Sequence, residues 1–160
     1  MKSLIYSFSA LMLLLALACT NPPDYPIEPV IEFVRYSKPS MQQGANPNID
    51  SVLLTLSFTD GDGDIGSDDS IGVFLIDTRD DFQQPGFRIP FVGQQGVGKG
   101  ISGEIFISLP TSCCFYDDGR IPCEVSPGTT DELVYELWIQ DRAGNESNRI
   151  NLEPVLLRCD

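Results

Sequence analysis

The chain has 160 residues, 23 of them acidic and 10 basic, and a formal charge of −13 with no histidine. So acidic a balance argues against nucleic acid and anionic lipid surfaces as partners. Without histidine the commonest general base and transition-metal ligand is missing, and with it the Ser-His-Asp and Cys-His nucleophile systems.

The first segment pairs a positive Lys2 with an almost wholly apolar run from Leu4 to Leu17. That run is too short to span a bilayer comfortably and has the proportions of a secretory signal. It ends in Ala16-Leu17-Ala18-Cys19, which resembles the lipobox cut by lipoprotein signal peptidase, although Ala16 stands where Leu is commonest. The expectation is a signal peptide over 1–18, with Cys19 as the lipid-bearing first residue of the mature protein. General secretory cleavage after Ala18, leaving Cys19 a free thiol, is the alternative.

Four prolines between Thr20 and Pro29 mark residues 19–29 as an extended tether, reaching about 30 Å at roughly 3.1 Å per residue. The expected location is the bacterial envelope, with the chain anchored to a membrane, the outer membrane being favoured, and its domain in an oxidising compartment. Acyl chains contribute about 0.8 kcal/mol per buried methylene, so two suffice for stable attachment. The 142 residues after Ala18 carry −14, because Lys2 is lost and residues 1–18 hold no acid. That length suits one domain, over 30–160.

Along the domain the patterned segments are short, rich in Val, Ile, Leu and aromatics, and bounded by Gly, Pro, Asn and Asp, as strands are. Val30–Tyr36 is the first. Val52, Leu54, Leu56 and Phe58 fall on one face at period two, and Ile71–Asp77 follows. A short strand is expected near Phe87–Val92. Ile105, Ile107 and Leu109 form another row; Leu133, Tyr135, Leu137 and Ile139 form the next, with Val134, Glu136, Trp138 and Gln140 opposite. Asn148–Leu157 closes the set, with Pro154 marking a bulge or an edge. About seven antiparallel strands in one unit predict an all-β, two-sheet sandwich, with a closed barrel as the alternative.

The stretches Leu56-Ser57-Phe58-Thr59-Asp60-Gly61-Asp62-Gly63-Asp64-Ile65-Gly66 and Ile139-Gln140-Asp141-Arg142-Ala143-Gly144-Asn145-Glu146-Ser147-Asn148 resemble segments of uncharacterised lipoproteins from Bacteroidetes. The second is also similar to bacterial immunoglobulin-like modules. That resemblance implies an immunoglobulin-like sandwich in which Asp141–Asn145 joins the strand ending at Gln140 to the one beginning near Asn148. It implies little about activity, because such sandwiches host many functions.

The acidic residues cluster between Asp50 and Asp81, where Arg79 is the only cation. Within that stretch Asp60-Gly61-Asp62-Gly63-Asp64, followed by Asp68 and Asp69, alternates carboxylates with flexible glycines, so that several hard oxygens can converge on one calcium ion. Numbered as an EF-hand loop, Asp60, Asp62, Asp64 and Asp68 take positions 1, 3, 5 and 9. Ile65 and Ile71, however, replace the Gly and the bidentate Glu that such a loop requires. Calcium would therefore need ligands from another loop, for which Asp141 and Asn145 are candidates. Solvated or amide-bonded turn carboxylates are the plainer reading.

Apart from Cys19 the cysteines are Cys113, Cys114, Cys123 and Cys159, an even set that predicts two disulfides outside the cytoplasm. A bond between the adjacent Cys113 and Cys114 is disfavoured by its strained ring. One of them should reach Cys123 and the other Cys159. A zinc site is the rival, but the spacing lacks Cys-x-x-Cys pairs.

Gly93–Gly100 nearly matches a phosphate-binding loop, yet it ends in Gly100 where Ser or Thr is needed and leads into strand pattern, so it reads as a hairpin connection. Phe82, Phe87, Phe91, Phe115 and Tyr116 sit on loops and either cover a sheet edge or form a platform for sugars or peptides. Asp117 and Asp118 are neighbours on a loop, not the opposed carboxylates of glycoside hydrolysis. No catalytic residues are assigned. The sequence is read as a lipid-anchored, non-enzymatic binding, scaffold or accessory module with an envelope protein or glycan as partner. A calcium-dependent adhesin or glycan-binding module is the alternative.

Overall fold

The computed structural model describes residues 24–93 and 100–160. The expected signal peptide, Cys19, the start of the expected tether and most of the Gly93–Gly100 connection lie outside the described residues. Within them every regular element is a strand, and no helix is long and apolar enough to cross a membrane.

Alternation decides the central elements. In β3 (Ser51–Asp60) Val52, Leu54, Leu56 and Phe58 are all buried, each contributing roughly 1.5–3 kcal/mol by leaving water. In β6 (Ile101–Pro110) Ile105, Ile107 and Leu109 point inward while Phe106 is exposed. The two strands pair antiparallel from Ser51 opposite Pro110 to Asp60 opposite Ile101. β1 (Val30–Tyr36) pairs on the other side of β3, with a register shift between Phe33 and Arg35, giving a sheet of order β1-β3-β6.

The second sheet places β4 (Val73–Asp77) between the short β5 (Phe82–Gln83) and β8 (Tyr135–Ile139), with β9 (Ile150–Asn151) beyond β8. The third joins β2 (Ser40–Gln42), β10 (Val155–Arg158) and β7 (Thr130–Leu133). The inward rows of all three meet in one core with Met41, Leu54, Leu75, Leu137, Ile139 and Leu157 at its centre. The protein is thus all-β, an arrangement consistent with a β-sandwich.

Four expectations need correction. The row from Leu133 to Ile139 keeps its inward face but breaks at Val134, whose carbonyl accepts from the backbone N–H and side-chain hydroxyl of Thr78, each at 3.0 Å. The chain changes sheets there, β7 pairing with β10 and β8 with β4. The last predicted strand divides likewise into β9 and β10 around Pro154, which has no N–H to give to a ladder. Phe87–Val92 forms no strand beyond a single bridge from Phe87 to Val73, because Gly86 and Pro90 interrupt it. Finally, β2 was not anticipated, and it pairs parallel to β10 in a fold expected to be antiparallel throughout.

The end expected as free tether is partly packed: Pro29 is buried and Tyr25 half-buried. The cysteines form Cys113–Cys123 and Cys114–Cys159, which resolves the two pairings left open and takes the sulfurs away from zinc. Buried Gln43 knits the bridges together. Its Oε1 accepts from Cys114 N at 3.0 Å, and its Nε2 donates to Glu124 O at 3.1 Å and Cys159 O at 2.8 Å.

Near the bridges, Arg79 donates to Asp77 through Nε (3.0 Å) and Nη2 (2.7 Å), and through Nη1 to Asp131 Oδ2 (2.6 Å) and Cys113 O (3.1 Å). Asp131 Oδ2 also accepts from Phe115 N at 2.9 Å, and the guanidinium lies 4.5 Å from the Phe115 ring centroid. Burial of Asp77 makes this pairing obligatory. Arg79→Met is expected to cost about 3–5 kcal/mol in urea unfolding, because it strands a buried carboxylate. Opening Cys114–Cys159, whose sequence separation is 45, by a double Ala substitution should cost ~4 kcal/mol, against ~3 kcal/mol for Cys113–Cys123 at a separation of 10.

Candidate metal centre

The inward row of β3 does not stop at Phe58. Two residues on, the same alternation turns Asp60 toward the interior at the end of the strand, where it is 0% exposed. Its Oδ2 accepts from Ile65 N at 3.0 Å. Between these residues the chain doubles back through Gly63, whose φ of 71° is open to glycine at little cost, and Asp62 and Asp64 come round beside Asp60.

The fourth carboxylate arrives from the turn after β8. Asp141 Oδ1 accepts from Asn145 N and Oδ2 from Asn145 Nδ2, both at 2.8 Å, while Gln140 bridges Glu146 as the chain turns toward β9. This is the Asp141–Asn145 connection expected from the sequence. Asn145 thereby orients Asp141. Arg142 clamps the two loops, its Nη1 donating to Ile65 O (3.1 Å), Gly66 O (2.7 Å) and Val92 O (3.3 Å).

Asp60, Asp62, Asp64 and Asp141 each offer an oxygen, and these oxygens all lie within 4.8 Å of one another. Asp60 Oδ1, Asp62 Oδ1 and Asp64 Oδ1 are buried with no hydrogen-bond partner among the described residues. Nor does any described Lys or Arg form a salt bridge with the four; Arg142 spends its donors on carbonyls. The cost is visible in the acidities. Burial, then the charges of Asp62 and Asp64, push Asp60 from 3.8 up to about 6. Burial and the charges of Asp141 and Asp62 raise Asp64, with Arg142 partly offsetting them.

Carboxylate oxygens alone, without imidazole or thiolate, suit a hard cation such as calcium or magnesium and not zinc. Calcium takes six to eight oxygens in flexible geometry, so the four side chains would be completed by carbonyls or water. The residues present therefore fit calcium.

Of the residues expected to bind it, Asp68 is not brought in. It is exposed, and its Oδ1 accepts from Phe91 N at 3.3 Å. The chain has by then turned away at Gly66, so spacing borrowed from a helical loop does not carry over. The other candidates are dispersed. Asp118 pairs with Arg120 at 2.9 Å, and Arg120 covers Tyr116 at 4.0 Å. Phe87 packs on the core, whereas Phe82 and Phe91 are exposed. Trp138, expected to point away from the core, is buried by stacking on Phe74 at 5.3 Å and by Arg149 at 3.8 Å. No protein-family model, curated protein or solved structure matches this chain.

The raised pKa of Asp60 makes stability depend on pH. Folded Asp60 holds its proton to about 6, above its ordinary 3.8, so its stabilising contribution is present below that ordinary value and lost as pH rises through about 6. In EDTA the urea midpoint should fall between pH 4 and about 6.5, and Asp60→Asn, which cannot ionise, should flatten that fall.

Proposed function

We propose that the protein is a lipid-anchored, immunoglobulin-like β-sandwich module of the bacterial envelope that binds, scaffolds or assists an envelope partner without catalysis, with calcium fixing one loop end. The observation that carries the calcium element is the set of three orphaned carboxylate oxygens in a cluster of four acids. Four like charges so close repel strongly unless a cation lies among them.

The apolar segment ending at Cys19 supports the anchor. Three sheets around one core and the Asp141–Asn145 turn support the sandwich. The non-catalytic reading rests on a chain without histidine and on carboxylates that face one another instead of flanking a substrate bond. The second reading, a calcium-dependent adhesin or glycan-binding module, is favoured by Phe91. Phe91 is 56% exposed, and its ring centroid lies 4.7 Å from the Arg142 guanidinium that clamps the acidic loop, an aromatic surface of the kind sugars use.

Calcium at a hundredfold above its Kd should stabilise the protein by about 2.7 kcal/mol, raising Tm by roughly 10 °C. Asp60→Asn/Asp62→Asn should abolish that rise; a wild-type melt indifferent to millimolar calcium rules the site out. EDTA-sensitive retention on a glycan array would favour the adhesin over the scaffold. Cys19→Ala should move the protein from the membrane to the soluble fraction after lysis.

A further inference from the structure

β1 begins at Val30, which pairs with Thr59 next to Asp60. The preceding residues must therefore enter the fold beside the acidic loop, and they are held there. Gly61 N donates to Pro26 O at 2.7 Å. A Cβ at Gly61 would stand 2.4 Å from the carbonyl oxygens of both Tyr25 and Pro26, so only glycine admits this packing. The Tyr25 ring lies against Gly100, where a Cβ would be 2.7 Å from ring carbon Cδ2 and 3.0 Å from Asp60 O. The residue that grips the N-terminal segment thus sits between two of the four clustered acids.

We propose that a calcium ion held by Asp60, Asp62, Asp64 and Asp141 controls whether residues 24–29 dock on the domain. This rests on the calcium reading above. Without the ion, repulsion drives the carboxylates apart. Asp62, on the loop and only half-buried, yields more readily than Asp60 at a strand end, and its movement carries the Gly61 amide away from Pro26. With the ion, the loop is fixed where Pro26 O and Tyr25 need it. Docking and ion binding then strengthen each other by the same factor. Release of Tyr25 to Pro29 adds about 15 Å of chain, at the polyproline rise, between the domain and the anchor expected at Cys19. Calcium would set how closely the domain is held to its membrane.

The test is hydrogen exchange on the full-length protein in detergent micelles, with calcium or EGTA, read on peptides covering 24–29 and 58–66. Calcium binding is measured separately by equilibrium dialysis. Calcium should slow exchange in the peptide containing Gly61 by about tenfold and protect the Tyr25 and Ile27 amides in the peptide covering 24–29. Calcium binding with unchanged exchange in both peptides overturns the coupling and leaves the site standing; absence of calcium binding overturns both. Gly61→Ala, whose methyl group displaces Tyr25 and Pro26, should weaken calcium binding by about threefold or more through the same linkage. Tyr25→Ala, which leaves the loop backbone intact, should weaken it in the same direction. Unaltered affinity in both variants contradicts the proposal.

Discussion

The pairing of β3 with β6, continuous over ten residues of each strand, sets where everything else in the molecule can be. Its inward side chains build the middle of the core, and its two ends define two poles. At one end Asp60 faces Ile101 and the chain passes into the acidic loop. At the other Ser51 faces Pro110 and leads to Thr111, Ser112 and the cysteines. β4 and β8, five residues each, pair antiparallel, so β4 ends at Asp77 near the disulfides and β8 ends at Ile139 near the acids. A ladder with one face buried cannot slip by a residue without turning its core row to solvent, and the relation between the poles is correspondingly fixed.

The poles treat buried charge in opposite ways. Around the disulfides, Asp77 and Asp131 share Arg79, and nearly every donor of that guanidinium finds an acceptor. Around Asp60 no described side chain forms a salt bridge with the four acids, Arg142 only partly offsets their charge, and three oxygens lack any partner. Buried carboxylates without a counter-charge are among the costliest arrangements a fold can keep. This contrast within one molecule is what the proposed calcium would resolve at the second pole. Tyr25 and Pro26 also pack at that pole, whereas Cys159 fastens the C-terminal strand at the other.

The alternation in β3, β6 and β8 was legible because a period of two with one apolar face has few other solutions. The same parity, carried two residues past Phe58, marks Asp60 as inward-facing, a signal open to sequence reading that loop numbering obscured. Asp62 and Asp64 were found by composition, and Asp141 through the turn motif. Asp68 is near them in sequence but not in space, because the chain turns away at Gly66.

By itself, then, the sequence determined the all-β class, the inward rows, the acidic loop and the even set of four cysteines, each of which depends on residues close together along the chain. Only the tertiary structure decided the parallel contact of β2 with β10, the exchange of sheets at Val134 and Pro154, the choice of Cys113 for Cys123, and the meeting of Asp141 with Asp60. All of these join segments separated by long loops or by many residues. Their energies come from closure of the whole core, and no local pattern encodes a partner that the chain meets only on folding.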